Sequence, residues 1–348
     1  MKNISVLIMA GGSGERFWPL STKERPKQLL KLIDEQRSLI RMTVDRVLPI
    51  VPPERIFVAT NSVQAKAVYE ELPMITKENI ILEPAFKDTA AAIGFGSIII
   101  NRKYPDSTLI VLASDHLIKN EPDFRSCLST AIEVANANNS IVTLGIKPDK
   151  PETGYGYLET TESYIGEPTR VMNFCEKPTL ETAVKYVTDG RFLWNSGIFI
   201  FRISTILKAF ELLLPKHYNI LTQISQLGDS MLDCTNSELI KLFKTFEKIS
   251  IDFGIMEKFD NTMVIPVDFG WSDIGSFPAL AEVFTLNENS TVLKGTSLKE
   301  ICSSRNIVMS TTGRKISLLG ANDLVIVDTP DNLLICSKAE AQNIKKLL

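Results

Sequence analysis

Five short runs of almost uninterrupted apolar residues punctuate the first part of the chain: ISVLIMA (4–10), RIFVAT (55–60), NIILEP (79–84), TLIVLASD (108–115) and SIVTLGI (140–146). A strand wet on one face alternates apolar and polar residues, so runs without alternation predict strands covered on both faces, as in a mostly parallel sheet. Between them, apolar residues spaced three and four apart predict helices over 39–48, 63–72, 89–102 and 124–138. Strands and helices in alternation predict an α/β fold, doubly wound around a mostly parallel sheet.

From about residue 287 the texture changes to closely spaced strand-like pieces, TVLKG, NIVMS, KISLLG, DLVIVDT and NLLICSK, with helical spacing returning only at 338–348. A helix at 277–284 precedes them. The expected division is an α/β domain over 1–286 and a small β-rich domain over 287–348, with no low-complexity linker between them.

With 348 residues the chain can bury a sizeable core, and a net charge of −3 offers no global basic surface for nucleic acid. A phosphate site must therefore be basic locally. Five scattered cysteines and two histidines suggest neither a zinc site nor a disulfide framework. The opening apolar run is too short for a signal peptide, and no later run approaches a membrane span, so a cytoplasmic protein is expected.

The first strand runs into MAGGSGERFWPLSTKERPKQLL, where Gly11, Gly12 and Gly14 can bring bare backbone N–H groups to an anion. A P-loop would place Lys and then Ser or Thr after the last glycine, but Glu15 and Arg16 follow Gly14. A dinucleotide fingerprint starting at Gly12 would need glycine where Phe17 stands. What remains is a glycine turn at the ligand-binding end of a strand, followed by the cations Arg16 and Lys27. A plain turn with two solvated charges is the bland alternative. Long ordered loops without helical spacing are usually functional, which favours the anion site.

GGSGER followed by PKQ resembles the nucleotide loop of the sugar-nucleotide pyrophosphorylases, which join a nucleoside triphosphate to a sugar 1-phosphate. Further motifs follow in order: LEPAFKDTAAAIG from Leu82, VLASDH from Val111, KPETGYGYLE from Lys150, FCEKP from Phe174, WNSGIFIF from Trp194, SIDFGIMEK from Ser250 and GWSDIGSF from Gly270. The tail VDTPDNLLICSK is similar to the family's β-helix-like C-terminal domain. The resemblance covers essentially the whole chain and points to the members that transfer GMP from GTP to mannose 1-phosphate.

The resemblance implies that Asp115 and Asp273 hold Mg²⁺ or another divalent cation, which takes oxygen ligands and few protein carboxylates. Read alone, both aspartates could equally cap turns. It further implies that Gly154, Glu176 and Asn195 contact the sugar and that Lys177 meets its phosphate. Glu83, at the end of the third strand, is the candidate to accept from guanine N1 and N2. The chain departs from the family at Lys87-Asp88-Thr89-Ala90-Ala91-Ala92, where relatives carry Arg-Asn-Thr-Ala-Pro-Ala, and at Ala113, where proline is common.

The expected reaction is in-line attack of the sugar phosphate on the α-phosphorus of GTP, with Arg16, Lys27 and Lys177 as the catalytic cations and pyrophosphate leaving. The nucleotide is expected on Gly11, Gly12, Gly14, Arg16, Lys27, Glu83 and Asp115. Partners are the two substrates, without nucleic acid or membrane, and a homodimer is the candidate assembly. The rivals are the same chemistry on another sugar or nucleotide, and a non-catalytic homologue that senses sugar nucleotides. Keeping Arg16, Lys27, Asp115, Lys177 and Asp273 together weighs against the latter.

Overall fold

The structure is a computed structural model and describes residues 3–161 and 164–348. It divides into two compact units: one comprises residues 1–11, 43–114 and 118–271, the other 12–42, 115–117 and 272–348. Gly12 and Gly14 thus group with the C-terminal strands, while Gly11 stays with the large sheet.

The first unit is built on a ten-stranded sheet among the described residues. Its main path uses β1 (Ile4–Met9), β2 (Ile56–Asn61), β3 (Ile80–Glu83), β4 (Thr108–Ala113), β5 (Ile141–Ile146), β6 (Thr169–Arg170), β7 (Phe192–Arg202) and β8 (Thr262–Val267), in the order β3-β2-β1-β4-β7-β5-β8-β6. The apolar runs form β1 to β5, and the first four strands of the order are mutually parallel. β7 enters antiparallel between β4 and β5, so the sheet is mixed. Tyr157–Glu159 adds to β7, and Asn173–Cys175 adds to Tyr157–Glu159.

The helix Asp88–Lys103 has eleven buried residues and little apolar asymmetry, as expected where it is covered all round. Its glycines serve close packing: a Cβ at Gly96 would come within 2.6 Å of Leu7 on β1. The core joins Leu7, Phe95 and Val111 to Phe210 and Phe243 on the later helices and to Phe246 just after Ser237–Lys244.

In the second unit, Val292–Lys294, Ile307–Ser310 and Leu324–Asp328 pair in parallel, closed by antiparallel Leu333–Ser337. Leu298–Ile301 and Ile316–Leu319 form a second parallel pair. Partner residues such as Ile307 and Val325, or Leu298 and Ile316, lie eighteen apart, the stacked-coil arrangement of a β-helix. The expected helix at 277–284 is the 3₁₀ segment Phe277–Glu282, and the C-terminal helical stretch is also 3₁₀, Lys338–Leu347. Among the described residues no helix is long and apolar enough to cross a membrane.

Candidate active site

The loop that follows β1 contains two 3₁₀ turns, Glu15–Phe17 and Lys27–Leu29. Gly14 caps the first at φ 62°, and a Cβ there would collide with the backbone nitrogen of Lys27. Only glycine fits. Ser21 Oγ donates to Gly14 O at 2.8 Å and Gln28 Nε2 donates to Gly12 O at 3.1 Å, so the loop is tied to itself. Phe17 anchors it, buried against Phe277 with ring centroids 4.9 Å apart.

These ties bring Arg16 and Lys27 to one cavity of about 350 Å³, which Gly14, Asp115, His116, Asp273 and Lys345 also line. Lys27 Nζ donates to Asp115 Oδ2 at 2.8 Å and to the backbone oxygen of Asp273. Arg16 Nη1 donates to Gly275 O at 3.0 Å, and Gly275 N donates to Asp273 Oδ1 at 3.1 Å. Burial pushes the Asp115 carboxyl up, but the Lys27 ammonium outweighs it and holds the group below its ordinary value. The cavity therefore joins cations, suited to phosphates, with carboxylates, suited to a metal.

Among the described residues no group of three or more His, Cys, Asp and Glu could hold a metal. A divalent ion here would have two protein carboxylates, Asp115 and Asp273. That donor set fits Mg²⁺, a hard ion that draws its other ligands from phosphates and water. Lys345 was missed from the sequence, where it reads as one of several lysines on a terminal helix.

A second group of polar side chains belongs to the unit of the large sheet. Glu83 ends β3, its carboxyl hydrogen-bonded to no described residue, and a Cβ at Gly11 would stand 3.4 Å from its Oε1. Burial, with the Asp88 carboxylate adding to it, pushes Glu83 up to about 8. Asp88 opens the long helix at φ 68° and accepts from Thr89 N at 2.8 Å. Lys87 turns elsewhere: its Nζ donates to Lys244 O at 2.6 Å and Phe246 O at 2.8 Å.

Asn195 stands where the register of β7 on β5 shifts, between Asn195 and Phe199. Such irregularities re-aim side chains. Its Nδ2 donates to Asp252 Oδ1 at 3.1 Å. Burial and then Glu176 push Asp252 up to about 7, against the pull of Lys177 and Asn195. Lys177 holds φ 48°, a costly left-handed conformation, with its Nζ 2.8 Å from Glu176 Oε1. Burial lowers the Lys177 ammonium, but Glu176 more than offsets that and raises it. A Cβ at Gly156 would come within 2.5 Å of Glu176 Oε2, so this glycine, rather than Gly154, makes room for the carboxylate. Gly154 N donates to Glu152 Oε1 at 3.1 Å in the exposed turn beside it. Asp252, inside SIDFGIMEK, was assigned no role from the sequence.

The nucleotidyl transferase family model matches residues 5–290, and the MannoseP isomerase/GMP-like beta-helix domain model matches residues 301–348. The chain is 37% identical to mannose-1-phosphate guanylyltransferase 2 of Escherichia coli O157:H7 over 99% of its own length and 73% of that protein. It is 36% identical to mannose-1-phosphate guanylyltransferase RfbM of Salmonella typhimurium, over 98% and 71%. A crystal structure described as mannose-1-phosphate geranyltransferase from Thermus thermophilus superposes with a TM-score of 0.88 at 31% identity, covering 99% of this chain and 98% of that one. With near-complete coverage by such relatives, and a glycine loop whose cations and carboxylates share one cavity, the chain belongs to the mannose-1-phosphate guanylyltransferase family of nucleotidyltransferases.

Proposed function

We propose that the chain transfers GMP from GTP to mannose 1-phosphate, giving GDP-mannose and pyrophosphate. The observation that carries this is the cavity shared by Arg16, Lys27, Asp115 and Asp273, in a chain aligned over 99% of its own length with a relative of which it covers 73%. The attacking oxygen is already a phosphate anion, so no protein nucleophile is needed. Catalysis consists of holding two polyanions and neutralising charge on the leaving pyrophosphate.

Gly11, Gly12 and Gly14 present backbone to the nucleotide, and Arg16 and Lys27 grip its phosphates. Asp115 and Asp273 would hold Mg²⁺, which would supply further positive charge to the triphosphate. Glu83 accepts from the guanine edge, for which its carboxyl must be ionised. Gly154, Glu176 and Asn195 take the sugar, and Lys177 takes its phosphate once drawn from Glu176.

The extents of the two family matches support assigning catalysis to 1–286 and the β-helix-like domain to 287–348. We place the enzyme in the cytoplasm, with a homodimer as the assembly to test by light scattering. The deciding measurement is pyrophosphate release from GTP and mannose 1-phosphate, beside ATP, UTP, dTTP and glucose 1-phosphate. Preference for another pair keeps the nucleotidyltransferase and removes the guanylyl or mannosyl assignment. No release with any pair removes the proposal.

A further inference from the structure

Asn195 is less available to a ligand than its motif suggests. Its Oδ1 accepts from Thr143 Oγ1 at 3.0 Å and from Gly197 N at 3.2 Å, while its Nδ2 donates to Asp252 Oδ1 at 3.1 Å. A carboxamide oxygen has two lone pairs and its nitrogen two protons, so the oxygen is full and one proton is spent. What remains is one N–H of Asn195 beside the Asp252 carboxylate, whose donors among the described residues are Asn195 and its own backbone N–H, so that acceptor sites are left over.

Asp252 is fixed where it stands. It opens the π-helical turn Asp252–Met256, a rare form that tends to mark functional sites. The preceding Ile251 N donates to Thr89 Oγ1 at 2.8 Å, and Ala90 N donates to Ile249 O at 3.3 Å. Just after the turn, Glu257 Oε1 accepts from Glu176 N at 3.0 Å. One segment thus orients both Asn195 and Glu176. A half-buried carboxylate with few donors is costly, and a ligand hydroxyl would relieve that cost.

We propose that Asp252 is itself a sugar-binding residue: its Oδ2 accepts from one hydroxyl of the sugar phosphate while the remaining Nδ2–H of Asn195 donates to the adjacent hydroxyl. Acceptor and donor side by side match the vicinal diol of a hexose. The inference rests on the reading that the Glu176 and Asn195 neighbourhood takes a hexose 1-phosphate.

The test is steady-state kinetics of the full chain and of Asp252→Asn with mannose 1-phosphate and its 2-, 3-, 4- and 6-deoxy analogues. Asparagine can still accept from Asn195, so a residue that merely positions Asn195 is conserved by this change, whereas its NH₂ cannot accept from a hydroxyl. The expected result is a KM for mannose 1-phosphate raised about tenfold or more, with the KM for GTP and the melting temperature unchanged. One deoxy analogue should cost the wild type a comparable factor and add nothing in the variant. A variant with wild-type sugar KM overturns the inference alone. If the variant does not fold, the wild type decides: sensitivity at two adjacent positions supports the diol, and its absence overturns it. A wild type without turnover on any hexose 1-phosphate overturns the underlying reading as well.

Discussion

Lys27 Nζ donates to Asp115 Oδ2 at 2.8 Å and, from the same ammonium, to the backbone oxygen of Asp273. One cation thereby joins segments 88 and 246 residues away along the chain, each bearing an aspartate of the proposed metal site. Lys27 thus has a structural role in addition to any contact with phosphate, whereas the exposed Arg16 side chain, hydrogen-bonded among the described residues to the Gly275 carbonyl alone, has little.

Replacing the two cations should separate these roles. The Lys27 side chain is 7% exposed and that of Asp115 31%. Lys27→Met should therefore cost stability near or below the low end of the about 3–5 kcal/mol typical of breaking a buried pair. Turnover should fall with it. Arg16→Ala should keep the melting temperature and lose about 3 kcal/mol of transition-state stabilisation, by analogy with a lost oxyanion donor. Thermal denaturation and kcat/KM on the same preparations distinguish the two, and equal melting losses would contradict the assignment.

Asp273→Asn keeps an oxygen to accept from Gly275 N, so the turn should survive while the charge disappears. Turnover should drop steeply and recover in part at high Mg²⁺, with an unchanged fold by circular dichroism. EDTA should reproduce the loss in the wild type. Normal rates for Asp273→Asn at low Mg²⁺ would remove it as a ligand.

Glu83 carries a pH signature of definite sign. Its folded value of about 8 lies above the ordinary 4.5, so the folded chain holds the proton more tightly than the unfolded one. The stability this contributes is complete below 4.5 and is lost as pH rises through about 8. Nucleotide binding needs the ionised form, so affinity for GDP should climb between pH 7 and 8, by at most about tenfold per unit, and then level off. Glu83→Gln should flatten both trends. Calorimetric titrations that show a pH-independent wild-type affinity would exclude a carboxylate contact to the base.

Lys87 marks the family departure most visible in the sequence, yet its ammonium is committed to the carbonyls of Lys244 and Phe246. Lys87→Ala should cost about 2 kcal/mol of stability, the scale of charge-assisted hydrogen bonds. Nucleotide preference should stay as it is. A shift in the GTP to ATP ratio of kcat/KM, without a change in denaturation midpoint, would give Lys87 a role in base selection instead.

Local patterns on the chain determined much of this protein. The unbroken apolar runs became buried strands because a strand covered on both faces has no polar side to display, and ISVLIMA needed no partner to be recognised as one. The glycine turn and the cations Arg16 and Lys27 stand close together in the sequence, and it is that short spacing of residue types that suggests an anion site, whereas Asp115 took a role only from the family resemblance. Tertiary structure alone decided which groups meet. Asn195 and Asp252 stand 57 residues apart, and their hydrogen bond depends on the shifted register of β7 and a π-helical turn, neither of which has a periodic signal. Lys345 reaches the cavity of Arg16 and Lys27 from the far end of the sequence, and Lys87 is drawn to the end of the helix Ser237–Lys244. Hydrophobic period is a property of neighbours along the chain, whereas the pairing of a buried carboxylate is settled only when distant segments pack and leave it one donor within reach.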